Sequence, residues 1–490
     1  MTPLPNPSPK RRDAKAESQE FREALERASD WVLGYFEDVR SRPVLAQVEP
    51  GSIRRALPAS APERGEPLDA LLDDFERLVL PGITHWNHPR FFAYFGISSS
   101  APGILAELLI ATLNVNGMLW RTSPAATEVE EVATDWLRQA IGLPAGFSGV
   151  INDTASTSTL YALTAAREAI PGLNVREQGV DGRRLRYYTS AEAHSSVEKA
   201  GLVLGTGQAG CVRIATDAEF RMRPDELESA IAGDRAAGLI PFAVVPTVGT
   251  TSTTSIDPVP QIAEIARREG LWLHVDAAYG GAAAVLPSHR QVLAGCERAD
   301  SIVVNPHKWL FTPIDCSVLF CRREDVLRRA FSIVPDYLSN PEGDSVRNLM
   351  DFGTSLGRRF RGLKLWFVLR AFGLERARAV LAGHLEMAQR LREWVAADPD
   401  YEVLAPVPFS TVVFRHRGGD DANRAIEEAV NGSGAALISH TSIRGAYVLR
   451  IAIGNLRTTE ADVLAAWDAI RAAGAQLNSV SQTSSSNPTS

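Results

Sequence analysis

No stretch of this 490-residue sequence stays apolar long enough to span a bilayer. The opening Met1-Thr-Pro-Leu-Pro-Asn-Pro-Ser-Pro-Lys-Arg-Arg holds no apolar core of leader-peptide length. Neither membrane insertion nor export is expected. Basic charge is in deficit, with 51 Lys and Arg against 58 Asp and Glu for a net −7, which argues against a nucleic-acid or phospholipid surface as partner. Cysteine is scarce too: Cys211, Cys296, Cys316 and Cys321 show neither metal-ligand spacing nor the density of a disulfide framework. A reducing, cytoplasmic setting fits. His85 and His88 have no Cys, Asp or Glu cluster nearby and do not stand at i, i+4 helical spacing, so metal catalysis is not expected. Gly205-Thr-Gly-Gln-Ala-Gly210 matches the dinucleotide fingerprint literally, yet Cys211–Ala215 after it reads as a strand where that fingerprint must open a helix.

What is present is a long alternation of strands and helices. Residues 1–16 and 476–490 are polar, Pro- or Ser-rich and aperiodic, and are expected to be disordered. Residues 17–100 form a helical N-terminal segment, with apolar positions at helical spacing through Phe21, Leu25, Ala28, Trp31 and Val32 and again from Leu68 to Leu78. Ser123-Pro124 reads as N-cap and first turn of a helix running through Trp136 to Gly142. Residues 101–365 form a large domain. Its strands are expected at Leu185–Tyr188, Val212–Ala215, Phe242–Thr247, Leu271–Val275, Ser301–Val304 and Ser317–Cys321. Several are continuous apolar runs, the mark of strands covered on both faces in a mostly parallel α/β sheet. After a helix around Leu363–Phe372, residues 366–475 form a smaller α+β lobe, with strands at Thr411–Phe414 and Tyr447–Ile453 and a helix at Ala461–Ala473 capped by Thr459.

In such sheets ligands bind at the carboxyl ends of strands, and two chemical groups fall there. Lys308 follows Ser301–Val304 within Asn305-Pro-His-Lys-Trp309. A strand-end lysine loses hydration, which frees an amine able to condense with an aldehyde, most commonly pyridoxal phosphate. Asp276 ends the preceding strand and is followed by Ala277, Ala278, Gly280 and Gly281, small enough for a flat ring to approach. A buried carboxylate there keeps a pyridine nitrogen protonated. Asn152-Asp-Thr-Ala-Ser-Thr-Ser-Thr precedes a helix and offers Thr154, Ala155 and Ser156 as phosphate donors. His194 stands at a strand-to-helix junction, placed to stack on the ring and face a substrate carboxylate, although a histidine there also serves as a cap. The polar turn Thr247–Ser252 could place Thr250 or Thr251 against ring or phosphate.

The chain resembles the group II pyridoxal-phosphate-dependent decarboxylases, in particular their aromatic L-amino-acid decarboxylase branch. The resemblance runs from about Phe75 to Thr459 and includes Ile83-Thr-His-Trp-Asn-His-Pro-Arg-Phe-Phe-Ala-Tyr-Phe95, Ser123-Pro-Ala-Ala-Thr-Glu128, Ala193-His-Ser-Ser-Val-Glu198, His274-Val-Asp-Ala-Ala-Tyr279, Asn305-Pro-His-Lys-Trp309 and Leu356-Gly-Arg-Arg-Phe-Arg361. It implies a fold-type-I enzyme that is a homodimer with active sites at the interface. It further implies Lys308 as the Schiff-base lysine, Asp276 on the pyridine nitrogen and His194 stacked on the ring. Thr154, Ala155, Ser156, Asn305 and His307 then surround the phosphate, Thr251 contacts the ring, and Ala278 is among the cofactor-binding residues. The lid-like segment Phe331–Asp344 carries Tyr337, where the family's tyrosine protonates Cα to give an amine and a phenylalanine favours an aldehyde.

Trp86, Tyr94 and Phe95 match aromatic positions of the substrate pocket, with Met118 and His194 completing it. Gly96, Ile97, Asn116 and Met118 depart from the animal pattern, and Gly357 leaves room for a larger ring. Phenylalanine, tyrosine, tryptophan and dihydroxyphenylalanine therefore all remain candidate substrates. The competing readings are an aromatic aldehyde synthase, a decarboxylase of a non-aromatic amino acid, and a pyridoxal-binding regulator without catalysis.

Overall fold

The computed structural model describes residues 14–333 and 342–485. Seven strands form the central sheet: β1 Ser148–Asn152, β2 Leu185–Ser190, β3 Cys211–Ile214, β4 Ile240–Val245, β5 Trp272–Asp276, β6 Ser301–Val304 and β7 Ser317–Cys321. Their order is β1-β7-β6-β5-β4-β2-β3. Only β7 runs against its neighbours, so the sheet is mostly parallel, as expected. Strands β5, β6 and β7 are buried along their whole length, because helices cover both faces and water reaches neither. The sheet β4 ends two residues before the expected Thr247. Thr247 keeps only an isolated bridge to Asp276, because the buried Asp257 carboxylate takes its amide at 2.7 Å.

The first strand, absent from the sequence reading, is the one that opens the site. Ile151 in β1 donates its amide to Glu130 Oε1 at 2.8 Å, and Arg358 Nη2 donates to the same oxygen at 2.8 Å and to the Ile151 carbonyl at 2.9 Å. Both side chains are buried. This ion pair fastens the helix Pro124–Ala140, capped by Ser123 as expected, and the Leu356–Arg361 motif to one strand.

A second sheet of four strands builds the smaller lobe: β8 Tyr401–Val403, β9 Thr411–His416, β10 Ser439–Ile443 and β11 Ala446–Ala452, in the order β10-β11-β9-β8. The helix expected around Leu363–Phe372 extends over Gly362–Ala397 and breaks at Gly373, where φ is 63°. Glycine adopts that angle without a Cβ penalty. The last helix, Glu460–Ser485, continues past residue 476, where the sequence suggests a disordered tail. Leu477 packs on the small-lobe core and extends the apolar stripe. The N-terminal helix Ala14–Asp38 packs against the helix Leu68–Asp74.

Removing one member of a buried ion pair strands the other charge away from water. Glu130→Ala is therefore expected to cost about 3–5 kcal/mol in denaturant unfolding; a loss below about 1 kcal/mol would show that Arg358 is resolvated or re-paired.

Candidate active site

The carboxyl edge of the parallel strands gathers the chemistry. Asp276 closes β5, and its backbone bridges to Pro246 and Val248 of the neighbouring loop. The chain then turns through Ala277–Gly281. A Cβ on Gly280 would lie 2.5 Å from the Val248 carbonyl, so only glycine lets the turn pack this closely. Asn152 at the end of β1 pairs with Ser317, while the next-door Cys316 accepts the His307 amide, so the Thr154 turn and the Lys308 turn are neighbours.

Lys308 sits in the one-turn helix Pro306–Trp309. Burial pulls its amine below the ordinary 10.5, Asp276 opposes the shift, and Arg450 adds to it. The ammonium lies 5.0 Å from the Phe95 ring centroid. Asp276 is 5% exposed and accepts the Ala278 amide at 3.1 Å. His194 is the N-cap of the helix Ser195–Leu204, and its Nδ1 accepts the Ser196 amide at 3.1 Å. The capping role and the ring-facing role are thus compatible: capping uses Nδ1 and places the proton of the neutral ring on Nε2. Burial lowers the His194 pKa, Asp276 opposing and Lys308 assisting, which favours a neutral ring suited to stacking.

A second group of residues presents hydrogen-bond donors at one end of the site. Thr154 is the N-cap of the helix Ala155–Glu168 but makes no side-chain cap, so its first amides are not claimed by a capping group. His307 is neutral, pushed down to about 3 by burial, and its Nδ1 accepts the Cys316 amide at 2.9 Å. Its Nε2 must then carry the proton, and it lies 3.2 Å from the Asn305 amide, one end of which is buried without a partner. A donating Nε2 requires the amide oxygen to face the ring, leaving the Asn305 amino group as the unpartnered end. An amino group, helix-start amides, a carboxylate and a dehydrated lysine fit a phosphorylated pyridine aldehyde.

A cavity of about 370 Å³ brings together Trp86, Tyr94, Phe95, His194, Thr251, His307 and Lys308. Met118 does not line it. The backbone of residues 117–118 is tied to Arg358 and Met350, which holds the Met118 side chain against Leu119 and Met350. Asn116 Nδ2 instead lies 3.5 Å from Met118 Sδ, and only Asn116 comes within 4 Å of a Cβ built on Gly357. Tyr337 lies outside the described residues. His85 and His88 have structural partners: His85 Nδ1 meets the Tyr35 hydroxyl at 3.0 Å, and His88 Nδ1 accepts the Arg90 amide at 2.9 Å.

Arg450, on β11, is a site residue the sequence reading missed. It lines the same cavity, is 4% exposed, and lies 4.5 Å over the Phe95 ring. Its Nε donates to Ser252 O at 3.2 Å and Nη1 to the Tyr94 carbonyl, while Nη2 has no partner among the described residues. Burial lowers its pKa to about 10, leaving it charged near neutrality. The available signal was an arginine inside the apolar Tyr447–Ile453 run.

A dehydrated lysine near a buried carboxylate fits an enzyme that uses pyridoxal phosphate. Residues 50–417 match the pyridoxal-dependent decarboxylase conserved domain. The chain is 39% identical over 473 residues to phenylacetaldehyde synthase of Arabidopsis thaliana, covering 93% of this chain and 96% of that protein. It is 40% identical over 477 residues to tyrosine decarboxylase 4 of Petroselinum crispum, covering 93% of each. The crystal structure of Oryza sativa TDC with PLP and tryptamine superposes with a TM-score of 0.91 at 37% identity, covering 96% of this chain and 100% of that one. The chain belongs to the pyridoxal-dependent decarboxylase family, and its cofactor is pyridoxal phosphate.

Replacing Asp276 by Asn removes a buried carboxylate placed to serve as counter-charge to a pyridinium. Asp276→Asn is expected to weaken cofactor affinity by on the order of 2 kcal/mol, roughly thirtyfold, in a spectrophotometric titration of cofactor-free protein; unchanged affinity would remove Asp276 from that role.

Proposed function

We propose that this protein decarboxylates an aromatic L-amino acid, drawn from phenylalanine, tyrosine, tryptophan and dihydroxyphenylalanine, to the corresponding amine and CO2. The observation that carries this reading is one cavity that joins the Lys308 amine, the unpartnered Nη2 of a buried Arg450 and an aromatic wall. Trp86 stacks on Tyr94 at 5.7 Å, and Phe95 stacks on Tyr279 at 4.0 Å, surfaces that suit a ring-bearing side chain. Pyridoxal phosphate, when bound, supplies the electron sink for the pair left behind by departing CO2. Lys308 would hold the cofactor through its dehydrated amine. Thr154, Ala155, Ser156, Asn305 and His307 hold the phosphate, while Thr251, Ala278 and His194 bound the ring. Arg450 and His194 orient the substrate carboxylate, the guanidinium as counter-charge and the imidazole through Nε2–H. Tyr337 delivers the proton to Cα.

An aromatic aldehyde synthase is the second reading, because a phenylacetaldehyde synthase and a tyrosine decarboxylase are almost equally similar to the chain. Tyr337 is the residue that favours the amine. The active unit is a homodimer with its sites at the subunit interface. Leu105, Leu108, Leu109 and Leu113 leave an apolar surface exposed on the helix Ala101–Leu113, which a second copy would cover. All four cysteines are unpaired, in keeping with a reducing cytoplasm.

Mass-spectrometric product analysis over a panel of amino acids, run on the wild type, Lys308→Ala and Tyr337→Phe, tests the scheme. The wild type is expected to give amine from an aromatic substrate, Lys308→Ala to give none, and Tyr337→Phe to lose about 10²–10⁴-fold in amine formation while dissolved dioxygen is consumed and aldehyde, ammonia and peroxide appear. Turnover of acidic amino acids alone would refute the aromatic pocket. Aldehyde from the wild type would favour the synthase, and no turnover of any amino acid would mark a regulator.

A further inference from the structure

We propose that His384 is a positioning residue for Lys308, a neutral imidazole that keys the lysine-bearing turn to the loop carrying Trp86 into the substrate cavity. The inference rests on Lys308 being the amine that holds the cofactor. His384 belongs to the second half of the broken helix Gly362–Ala397 and is 2% exposed. Its Nδ1 lies 2.9 Å from the indole nitrogen of Trp309, the residue that follows Lys308. Its Nε2 lies 3.0 Å from the Asn455 carbonyl.

These partners admit a single protonation state. An indole N–H only donates, so Nδ1 must present a lone pair; a carbonyl only accepts, so Nε2 must carry the proton. A second proton would set N–H against N–H inside an apolar core, and burial accordingly holds the pKa near 4. Both ring nitrogens are used, so the imidazole has one orientation.

What it fixes is the site. Asn455 gives its side-chain amide to the carbonyls of Trp86 at 3.3 Å and His88 at 3.2 Å. Trp309 stacks on Tyr279 at 4.9 Å and 13°, Tyr279 stacks on Phe95 at 4.0 Å and 24°, and Phe95 lies beneath both Lys308 and Arg450. One imidazole thus links the large domain, the small lobe and the N-terminal segment, and rotation of Trp309 would be passed through stacked rings to the surface under the reacting amine.

The test compares His384→Leu, which keeps bulk and loses both bonds, with His384→Gln, which retains an acceptor and a donor. Assays are kcat and KM on an aromatic substrate, and the pH midpoint of the absorbance of the Lys308-bound cofactor. Circular dichroism serves as the folding control. His384→Leu is expected to lower kcat roughly 10- to 100-fold with KM within about threefold and to move the midpoint, and His384→Gln to restore most of both. Trp309→Phe should reproduce the loss, and Trp309→Phe with His384→Leu should be no worse than His384→Leu alone. The proposal is overturned by a folded His384→Leu protein with wild-type kcat and midpoint, by additive losses in the double variant, or by a glutamine no better than leucine. If His384→Leu does not fold, wild-type kcat in Trp309→Phe overturns it. A wild type with no borohydride-reducible cofactor on Lys308 refutes the reading beneath the inference, and the inference with it.

Discussion

The site depends on holding an amine short of water between charges of opposite sign. Desolvation weakens the ammonium form of Lys308, Arg450 weakens it further, and Asp276 restrains the shift. A lysine left in water would stay protonated and inert toward an aldehyde; one buried without a carboxylate would have no counter-charge to offer the cationic cofactor. The carboxyl edge of a parallel sheet supplies this compromise. Strands β5 and β6 are buried on both faces and end side by side, with Asp276 paired to Val303, so Asp276 and Lys308 emerge from neighbouring strands on rigid backbone.

The remaining lobes make sense as supports for that edge. The Glu130–Arg358 pair ties the strand that leads into the Thr154 turn to the Leu356–Arg361 motif. Arg450 reaches in from the small lobe and holds the carbonyls of Tyr94 and Ser252, so closing one cavity requires three segments of chain. The stacked series from His384 through Trp309 and Tyr279 to Phe95 lies beneath it. Lys308 and Arg450 both approach the Phe95 ring, whose quadrupole attracts positive charge while the guanidinium disfavours a proton on the lysine. The Nη2 group without a partner and the Asn305 amide are buried polar atoms with unmet hydrogen bonds. Such atoms are costly in an interior and are expected where a ligand completes them.

Much of this was legible in the sequence. Ser301–Val304 and Ser317–Cys321 are readable to the residue because unbroken apolar runs bounded by polar residues leave no other register. Lys308, Asp276 and His194 stand out as candidates because each lies at or just after the end of a strand. What was not legible depends on long-range contact. The short polar β10 has no hydrophobic pattern and exists because β11 pairs with it. Met118 faces Leu119 and Met350 because Arg358 and Met350 hold its backbone, more than 200 residues away in sequence. Arg450 and His384 acquire meaning only when the small lobe and the broken helix meet the Lys308 turn.

Before any cofactor binds, the fold already lowers the affinity of Lys308 for its proton. The direct measurement is the pH dependence of borohydride trapping of pyridoxal phosphate on Lys308 in cofactor-free protein. Because the folded pKa is depressed, trapping should reach half its maximal rate below the ordinary 10.5. The midpoint should move lower still in Asp276→Asn, where the opposing carboxylate is gone, and higher in Arg450→Leu. A midpoint at or above 10.5, insensitive to both substitutions, would contradict the account.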